Sequence, residues 1–428
     1  MHSSAFLRAA LTGAALFLLA PLACHLRSDV DAIPSFGKQS ELPGTRPPNP
    51  QVLRQLSAVF TSDALPFAGD LVGHGTRDTF SLFTSRDSSY VVMSAGCAPD
   101  GSSFVAEGYF RRATLGSGGL VRLRASGDSA DWLCGNSPTP VFEALQFEGR
   151  YGGGNKLPEH SFTLKRKRPL AAVKQFDAVA HHGACRTIDS CGVSENSIES
   201  ILRTPAFGAS IVEVDTRLTR DGIPVLFHDE TLSPRLVEGE LCHGRIADFD
   251  LAVLRTNCTL KYGEQIPTLA EAMEAVYQSP DLIAMWVDVK EPAALIPSVN
   301  TMRASIERFP SPARQGAFVV GLADDDIRRK FLSIPKDKRV PCLLELEPED
   351  VKKTGCMAWA PRWTRGALRR ETDALRDVGI STVFWTVNET PFIDAILRES
   401  DPAAMLSDRV GTVLYRHQRM LGAIEDNP

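Results

Sequence analysis

The sequence predicts an α/β fold with a parallel sheet, closed or open, preceded by a small all-β domain. From about residue 176 onward, strand-like and helix-like segments alternate through most of the remaining chain. Between about 60 and 167, short runs rich in β-branched and aromatic residues are separated by Gly, Ser, Asp and Pro. The composition, 43% hydrophobic and 23% charged, is that of an ordinary globular protein and excludes wholesale disorder.

The length and charge of the chain limit its organisation and its partners. Its 428 residues are enough for two or three domains. The 52 acidic and 47 basic side chains leave a formal net charge of −5, which gives no electrostatic reason to expect nucleic-acid binding. The sequence has one long apolar run, at its N-terminus, so a polytopic membrane protein is excluded.

The N-terminal apolar run is typical of an export signal. Residues 9–20 are almost continuously apolar, and Pro21-Leu22-Ala23-Cys24 follows them. A small residue before a cysteine resembles a bacterial lipoprotein processing site, so we expect residues 1–24 to be a signal and Cys24 to carry lipid. Simple secretion and an uncleaved anchor are the alternatives. We therefore expect a periplasmic, outer-membrane or secreted protein, with membrane contact through the lipid and a flexible linker, rich in Pro, Ser and Gly, over residues 25–50.

The cysteine pattern supports export, because disulfides persist outside the cytosol. Setting Cys24 aside leaves an even number of cysteines, and none is spaced as CxxC, which argues against a zinc ribbon. The alternative is a set of unconnected buried thiols. Pairing of neighbours is the simplest arrangement, and it predicts the bridges Cys97–Cys134, Cys185–Cys191, Cys242–Cys258 and Cys342–Cys356.

The predicted all-β domain spans residues 51–170. Its candidate strands, about six, are 79–83, 90–93, 104–110, 120–123, 142–147 and 161–164. The basic run Lys165-Arg166-Lys167-Arg168 follows them. It could contact anionic lipid head groups, but a solvated interdomain linker is the simpler interpretation. Nothing in this domain suggests a chemical reaction.

The predicted α/β domain spans residues 171–428. Two helix starts are indicated where Asn196 and Thr268 are each followed three residues later by Glu. We expect Glu195 and Asn196 to serve the loop and the helix cap rather than the chemistry. The candidate strands are 178–182, 210–215, 223–228, 283–290, 316–320, 341–346, 356–360, 382–387 and 403–406.

Polar side chains gather at the C-terminal ends of the first four of these strands. In a parallel barrel those ends form one face, where active sites lie, and residues two apart on a strand point to the same side. Three carboxylates there suit a hard divalent cation, Ca²⁺ or Mg²⁺. A cation beside two histidines suits phosphoryl chemistry, in which negative charge is neutralised and a leaving oxygen is protonated. The side chains are His181, His182, Glu213, Asp215, His228, Asp288 and Lys290.

A transition-metal site is an alternative for part of this set. His181, His182 and Cys185 lie close together in the sequence and are suitable ligands for such an ion. Cys185 has a nearer partner in Cys191, which favours a disulfide instead.

In its order of motifs, the sequence resembles the glycerophosphodiester phosphodiesterase family. The resemblance extends from about residue 176 to 416, is strongest over its first half, and does not reach residues 25–170. The motifs that carry it are Ala180-His-His-Gly-Ala184, Gly208-Ala-Ser-Ile-Val-Glu-Val-Asp215, Leu218-Thr-Arg-Asp-Gly-Ile-Pro-Val-Leu-Phe-His-Asp229, Ile266-Pro-Thr-Leu269, Val287-Asp-Val-Lys290, Trp385-Thr-Val-Asn388 and Ser407-Asp-Arg409.

This resemblance implies a TIM (β/α)8 barrel that cleaves glycerophosphodiesters, small or lipid-derived, into glycerol phosphate and an alcohol. Nine candidate strands are one too many for such a barrel, and we expect 356–360 to be accessory. By resemblance, the catalytic pair is His181 and His228, the metal ligands are Glu213, Asp215 and Asp288, Lys290 contacts phosphate, and Trp385 walls the pocket.

The sequence departs from the family pattern at three places. His182 stands where the family has Arg, and we expect it beside the substrate phosphate, with charge only when protonated. Asp288 stands where the third metal ligand is usually Glu, and the loop 183–195 is longer than is typical. Two alternatives stay open: a related barrel enzyme that acts on lysophospholipid or sphingolipid and releases a cyclic phosphate, and a barrel that only binds glycophosphate polymers or lipids.

Overall fold

The computed structural model describes residues 33–172, 176–184, 186–309 and 318–425, which lie in one compact unit. The predictions on the signal and on Cys24 fall on residues outside this set, and so does Cys185 of the predicted Cys185–Cys191 bridge. Because both halves of the described chain belong to the same compact unit, their division into two domains near residue 170 stays a prediction.

The first half forms a closed barrel of eight antiparallel strands. We predicted about six. The two missed strands are β1 and β2, and in β2 the glycines weaken the strand pattern. Gly75 is needed there, because a Cβ at this position would lie 1.7 Å from the backbone oxygen of Leu53. The strands are β1 (Ala58–Ser62), β2 (Gly69–Gly75), β3 (Thr79–Phe83), β4 (Ser89–Cys97), β5 (Ser103–Arg112), β6 (Ser117–Ser126), β7 (Gln146–Gly153) and β8 (His160–Pro169).

Aromatic side chains fill the inside of this barrel. Phe60 packs against Phe80 with ring centroids 5.5 Å apart, and Phe147 contacts both. Each of these rings is fully buried, so their apolar surface supplies the main driving force for closing the barrel. Closure also leaves no unpaired strand edge.

Two segments predicted as linkers pack onto the barrel instead. In the described part of the N-terminal linker, the Ser40 hydroxyl donates to Glu107 over 2.7 Å. The basic run is part of β8, where Lys167 Nζ lies 3.1 Å from Asp70. The interpretation of this run as a solvated linker is therefore wrong, because its backbone pairs with β1 and β7 inside the barrel.

Thirteen further strands follow within the described ranges. Eight of them, β9, β10 and β16 to β21, pair in parallel into a closed ring, which is the predicted (β/α)8 barrel. The strands are β9 (Asp177–Ala180), β10 (Ile211–Leu218), β11 (Pro224–Leu226), β12 (Thr231–Leu232), β13 (Val237–Glu238), β14 (Gly244–Arg245), β15 (Thr259–Leu260), β16 (Ala284–Val289), β17 (Phe318–Leu322), β18 (Cys342–Leu344), β19 (Ala358–Trp359), β20 (Ser381–Phe384) and β21 (Ala404–Ser407).

The accessory strand is β11, not the segment 356–360. β11 pairs antiparallel with β10 alone, whereas β19, from the segment that we expected to be accessory, is a member of the ring. The chain turns back at Gly222, whose φ is +79°, and five residues separate the two strands. A parallel connection needs about a dozen residues or more, so the short turn permits only a hairpin.

Helices from the second half of the chain surround the ring. Among them, α5 (Leu269–Gln278) begins with the predicted capping box, in which Thr268 accepts from Glu271 N over 3.2 Å. The first cap is Ser197 rather than Asn196, because the Ser197 hydroxyl accepts from Ser200 N. The helices are α1 (Pro50–Arg54), α2 (Gly127–Leu133), α3 (Ile198–Arg203), α4 (Leu251–Asn257), α5 (Leu269–Gln278), α6 (Pro292–Arg308), α7 (Asp325–Ser333), α8 (Pro348–Thr354), α9 (Arg369–Arg376), α10 (Thr390–Ser400) and α11 (Val410–Met420).

Three of the predicted disulfides are present in the structure: Cys97–Cys134, Cys242–Cys258 and Cys342–Cys356. The first belongs to the antiparallel barrel, and the other two close short loops around the parallel one. In the part of the chain that the structure describes, no helix has the length and apolar character to cross a bilayer.

Candidate functional site

Strand alternation determines which side chains reach the mouth of the parallel barrel. On β10, Val212 and Val214 belong to the apolar layer under the helices, so Glu213 and Asp215 point inward. On β9 and β21, Val179 and Leu406 are part of the inner core. Two residues after these, on the same side of each strand, are His181 and Asp408, whose polar side chains lie at the C-terminal ends of β9 and β21. The site is therefore a layer above the apolar barrel core.

Three carboxylates come together in this layer, as predicted. Oxygen atoms of Glu213, Asp215 and Asp288 all lie within 4.8 Å of one another. Asp215 pairs with Asp288 in the β10–β16 register, which places the two side by side. Asp288 Oδ1 is buried and accepts no hydrogen bond from any described residue. An orphaned buried oxygen in a set of hard donors fits a divalent cation such as Ca²⁺ or Mg²⁺.

Lys290 provides the positive charge within the carboxylate cluster. Its Nζ lies 2.7 Å from Asp215 Oδ1 and also contacts Asp288 Oδ2. Burial opposes the charge, but Asp215 and Asp288 outweigh it and raise the pKa of Lys290. Burial and the neighbouring Asp215 raise the pKa of Glu213 to about 8. The pKa of Asp215 is lowered, since His182 and Lys290 together overcome the effect of burial.

His181 is held by a carboxylate from the last strand of the ring. Its Nδ1 lies 2.6 Å from Asp408 Oδ1, and Asn388 donates to the other oxygen of Asp408 over 2.6 Å. Although burial opposes it, the hydrogen bond from His181 lowers the pKa of Asp408 to about 2. Burial and the adjacent His182 lower the pKa of His181 itself. The neutral ring is thus oriented with Nε2 as the nitrogen that can exchange a proton.

His182 is buried, and its ring faces carboxylates. Nε2 lies 3.2 Å from Asp215 Oδ2, and Nδ1 lies 3.4 Å from Glu195 Oε1. Burial acts against protonation, but Asp215 and Glu195 raise the pKa of His182 to about 10. The residue adopts a left-handed φ of +54°, and its backbone N donates to Glu213 over 2.9 Å. Its predicted contact with substrate phosphate stays a prediction, because both ring nitrogens lie beside carboxylates of the protein.

Glu195 and Asn196 take part in the site, although we expected only an architectural role for them. Asn196 donates to Asp215 Oδ2 over 2.7 Å and accepts from the backbone N of Asp215 over 3.0 Å. Glu195 is buried and faces His182. Asn196 orients a proposed metal ligand, a role that the pattern of a helix start could not indicate.

His228 follows the accessory strand β11 rather than a strand of the ring. Its ring centroid is 4.9 Å from that of His182, whose centroid is 3.7 Å from that of His181. Asp229 lies 2.8 Å from His228 Nδ1, and Arg235 donates to Asp229 over 3.0 Å. The hairpin therefore brings His228 to the same mouth as His181, with His182 between the two rings.

Two further side chains reach the mouth from the opposite side of the ring. The indole of Trp385, after β20, donates from Nε1 to Ala360 O over 2.7 Å, which holds the ring in place. Glu345, after β18, was not predicted as a site residue. Its Oε1 is buried and without a hydrogen-bond partner among the described residues. Its inward phase follows from Leu343, which belongs to the inner core.

Comparison with known proteins supports the family resemblance. Residues 181–308 match the model of the Glycerophosphoryl diester phosphodiesterase family. A glycerophosphodiester phosphodiesterase from Caldanaerobacter subterraneus is 34% identical over 128 residues, covering 28% of this chain and 48% of the relative. A probable glycerophosphodiester phosphodiesterase 2 from Mycobacterium tuberculosis is 31% identical over 125 residues, covering 29% of this chain and 42% of the relative.

Solved structures with a similar course of the chain include two with 20% sequence identity. A putative glycerophosphoryl diester phosphodiesterase from Silicibacter pomeroyi has a TM-score of 0.46 and covers 59% of this chain and 95% of its own. An Oleispira antarctica phosphodiesterase in complex with the product sn-glycerol-3-phosphate has a TM-score of 0.46 and covers 57% and 96%. The chain spans about half the length, or less, of the curated relatives named above. The resemblance to the family is confirmed over the matched segment, which contains His181, the carboxylates and His228.

Proposed function

We propose that this protein is a metal-dependent phosphodiesterase that hydrolyses glycerophosphodiesters to glycerol phosphate and an alcohol. The observation that carries the proposal is the convergence of Glu213, Asp215 and Asp288 beside two histidines that are each bonded to a carboxylate. The matched family and the names of the curated relatives support the same reaction class.

The carboxylate cluster would hold one divalent cation. Glu213, Asp215 and Asp288 would be its ligands, with Asn196 and Lys290 positioning Asp215. When bound, such a cation neutralises charge on the phosphate oxygens of the substrate. Asn196 would orient Asp215 through a hydrogen bond, as partners of metal-ligating carboxylates commonly do.

The two histidines would move the protons of the reaction. One takes a proton from the attacking water as its oxygen bonds to phosphorus, and the other donates a proton to the alcohol oxygen as the P–O bond to it breaks. Because Nδ1 of His181 lies against Asp408 and Nδ1 of His228 against Asp229, Nε2 of each ring is the exchanging atom. Lys290 would stabilise the charge that builds on the phosphate.

Export and lipid anchoring remain part of the proposal. The signal-like residues 1–24 and Cys24 support them, as do the three disulfides, which are typical of oxidising compartments. Mass spectrometry of the protein from a bacterial membrane fraction would test this. A lipid-modified N-terminal Cys24 is expected, and an unprocessed Met1 would contradict it.

The reaction itself is tested by phosphorus NMR on the full chain. The protein is incubated with glycerophosphodiesters and with lysophospholipids, in the presence of Ca²⁺ or Mg²⁺ or of excess chelator. A glycerol phosphomonoester that forms with the cation alone is the expected product. A cyclic phosphate would indicate a lyase, and absence of any turnover would indicate the binding alternative. Either outcome would contradict the proposal.

A further inference from the structure

Arg362 and Trp385 are paired at the mouth of the parallel barrel, opposite the carboxylate cluster. They form an isolated parallel bridge that extends β19 and β20. Residues opposite each other in a sheet share a face. Along these strands Ala358, Ala360 and Val383 belong to the inner core or pack against it. Arg362 and Trp385 continue the same phase, so both side chains lie on the pocket side of the mouth.

The guanidinium of Arg362 covers the face of the Trp385 indole. Its Cζ lies 4.9 Å from the ring centroid, which is a cation–π geometry. The indole is fixed from behind by its hydrogen bond to Ala360 O. Arg362 is exposed, and no carboxylate within the described ranges forms an ion pair with it. It is therefore a positive group with donors available to a ligand.

Glu345 connects this pair to the reacting centre. Burial and the neighbouring Asp288 raise the pKa of Glu345, whereas Lys290 and Arg362 act in the opposite direction. The Glu345 carboxyl group therefore interacts electrostatically with both the proposed metal ligand Asp288 and the guanidinium of Arg362. The geometry agrees, because Leu344 pairs with Trp359 in the β18–β19 register, so Glu345 and Arg362 lie at the ends of neighbouring strands in the same inward phase.

We propose that Arg362 and Trp385 form the subsite for the leaving alcohol and select alcohols that carry a negative charge over cationic ones such as choline. The inference rests on the proposed function. Vicinal glycerol hydroxyls suit a divalent cation, so the glycerol half would lie toward the carboxylates. The other substituent of the phosphate then extends toward β19 and β20.

The charge arrangement excludes the usual mode of choline binding. A quaternary ammonium group is recognised by stacking on free aromatic faces. Here one face of Trp385 is occupied by a guanidinium, which both blocks that face and repels a second cation. A carboxylate or phosphate on the alcohol would instead receive a forked contact from Arg362. Attraction for one charge and repulsion of the other act together in setting specificity.

The experiment compares three substrates that differ in charge at one end. They are glycerophosphocholine, its uncharged dimethylbutyl isostere with carbon in place of nitrogen, and a glycerophosphodiester of a short hydroxycarboxylic acid. The full chain is assayed for kcat/KM with each. We expect the anionic substrate to exceed the cationic one by about tenfold, since both attraction and repulsion are on the scale of exposed ion pairs. The isostere should lie between them.

Variants assign the effect to Arg362. Arg362→Gln should bring the three kcat/KM values to within about twofold of one another, and Arg362→Lys should keep the order of the wild type. Arg365→Gln is the matched control. Arg365 also lies over an indole, that of Trp359 at 5.7 Å, but it pairs with Glu347 over 2.8 Å. This control should leave the selectivity unchanged.

The outcomes separate this proposal from the one on which it rests. Equal rates on all three substrates, or a preference for choline, would overturn the subsite while leaving the phosphodiesterase in place. Selectivity that survives in Arg362→Gln would overturn the assignment to Arg362. Failure to cleave any of the three would refute the proposed function, and the subsite with it.

Discussion

Nδ1 of His181 lies 2.6 Å from Oδ1 of Asp408. The two residues are 227 positions apart in the sequence and meet because β9 and β21 are neighbours that close the ring. Asp408 has a pKa of about 2, so it is ionised throughout the physiological range and can hold the imidazole in one tautomer. The β9–β21 pairing that closes the barrel therefore also brings Asp408 to the proposed catalytic histidine and orients its ring.

Asp408→Asn should lower kcat by about 10²-fold, with little change in KM or in the fold. The amide can offer its NH2 group to Nδ1 and so favour the wrong tautomer of His181. The measurement is steady-state hydrolysis of a glycerophosphodiester, with circular dichroism as the check of folding. Asp394→Asn is the control, because Asp394 pairs with Arg416 between α10 and α11. Equal rates for the Asp408 variant and the wild type would show that this carboxylate does not position His181.

His181→Ala and His228→Ala should each lower kcat by at least about 10²-fold, the scale of general acid–base catalysis. The double variant should be little worse than either single variant, because residues that act as one unit are not additive. Single-turnover rates would separate this chemistry from product release. A His228→Ala protein with near-normal rate would remove His228 from the reaction and leave its loop as merely adjacent.

The stability of the protein should fall in acid through His417. This ring is 7% exposed and lies 4.1 Å, centroid to centroid, from Phe176. Burial lowers the pKa of His417 to about 4, so the folded state binds fewer protons than the unfolded one between that value and about 6.5. Its contribution is complete above the unfolded pKa and is lost as the pH falls toward the folded pKa.

The contribution of His417 to the loss of stability in acid is measured with a variant. Between about pH 7.5 and about pH 4.5, the free energy of unfolding should fall by about 2 to 3 kcal/mol, because the ring stays neutral in the folded protein. Urea unfolding of the wild type and of His417→Leu at both pH values gives the difference. The loss on acidification should be smaller by that amount in the variant. Identical pH dependence of the two proteins would contradict the assignment.

Replacing both Cys242 and Cys258 by Ser should lower the free energy of unfolding by about 3 kcal/mol, the chain-entropy value for a loop of this length. The bridge spans 16 residues and joins the turn after β13 to the end of α4. Denaturant unfolding under oxidising conditions compares the variant with the wild type, and a reducing agent should remove the difference between them. An unchanged midpoint in the variant would show that the bridge does not constrain the unfolded chain.

The sequence pattern was sufficient for the parallel α/β fold and for the polar residues at its strand ends, and the family resemblance added the closure into a barrel. Glu213, Asp215, Asp288 and Lys290 could be grouped because strand alternation and the common orientation of parallel strands place them together. The sequence was insufficient for contacts between residues of the first and last strands, because these strands meet only when the ring closes. Asp408 follows β21, and only the β21–β9 pairing shows that it meets His181. The available signal was that Asp408 lies two residues after the inward-facing Leu406 and therefore points to the same side of the strand.

The errors in strand assignment have a common physical origin. Short strands are recognised by apolar pattern, but membership in a sheet is decided by connection length and partners. The segment 223–228 has the β-branched and aromatic residues of a strand, yet its short turn from β10 makes a hairpin. The strand β2 was missed because of its glycines. Gly75 is required by close packing on Leu53, and strand propensity does not predict it.

The central claim, a cation-dependent phosphodiesterase site on three carboxylates, is tested most directly by titrating Ca²⁺ or Mg²⁺ into the chelator-treated full chain. Cation binding is followed by calorimetry and phosphomonoester formation by phosphorus NMR in the same sample. The account predicts no turnover in excess chelator, one bound ion per chain, and activity that rises with occupancy. Asp215→Asn should bind the ion weakly and stay inactive. Full turnover in excess chelator, by the wild type or by this variant, would contradict the account.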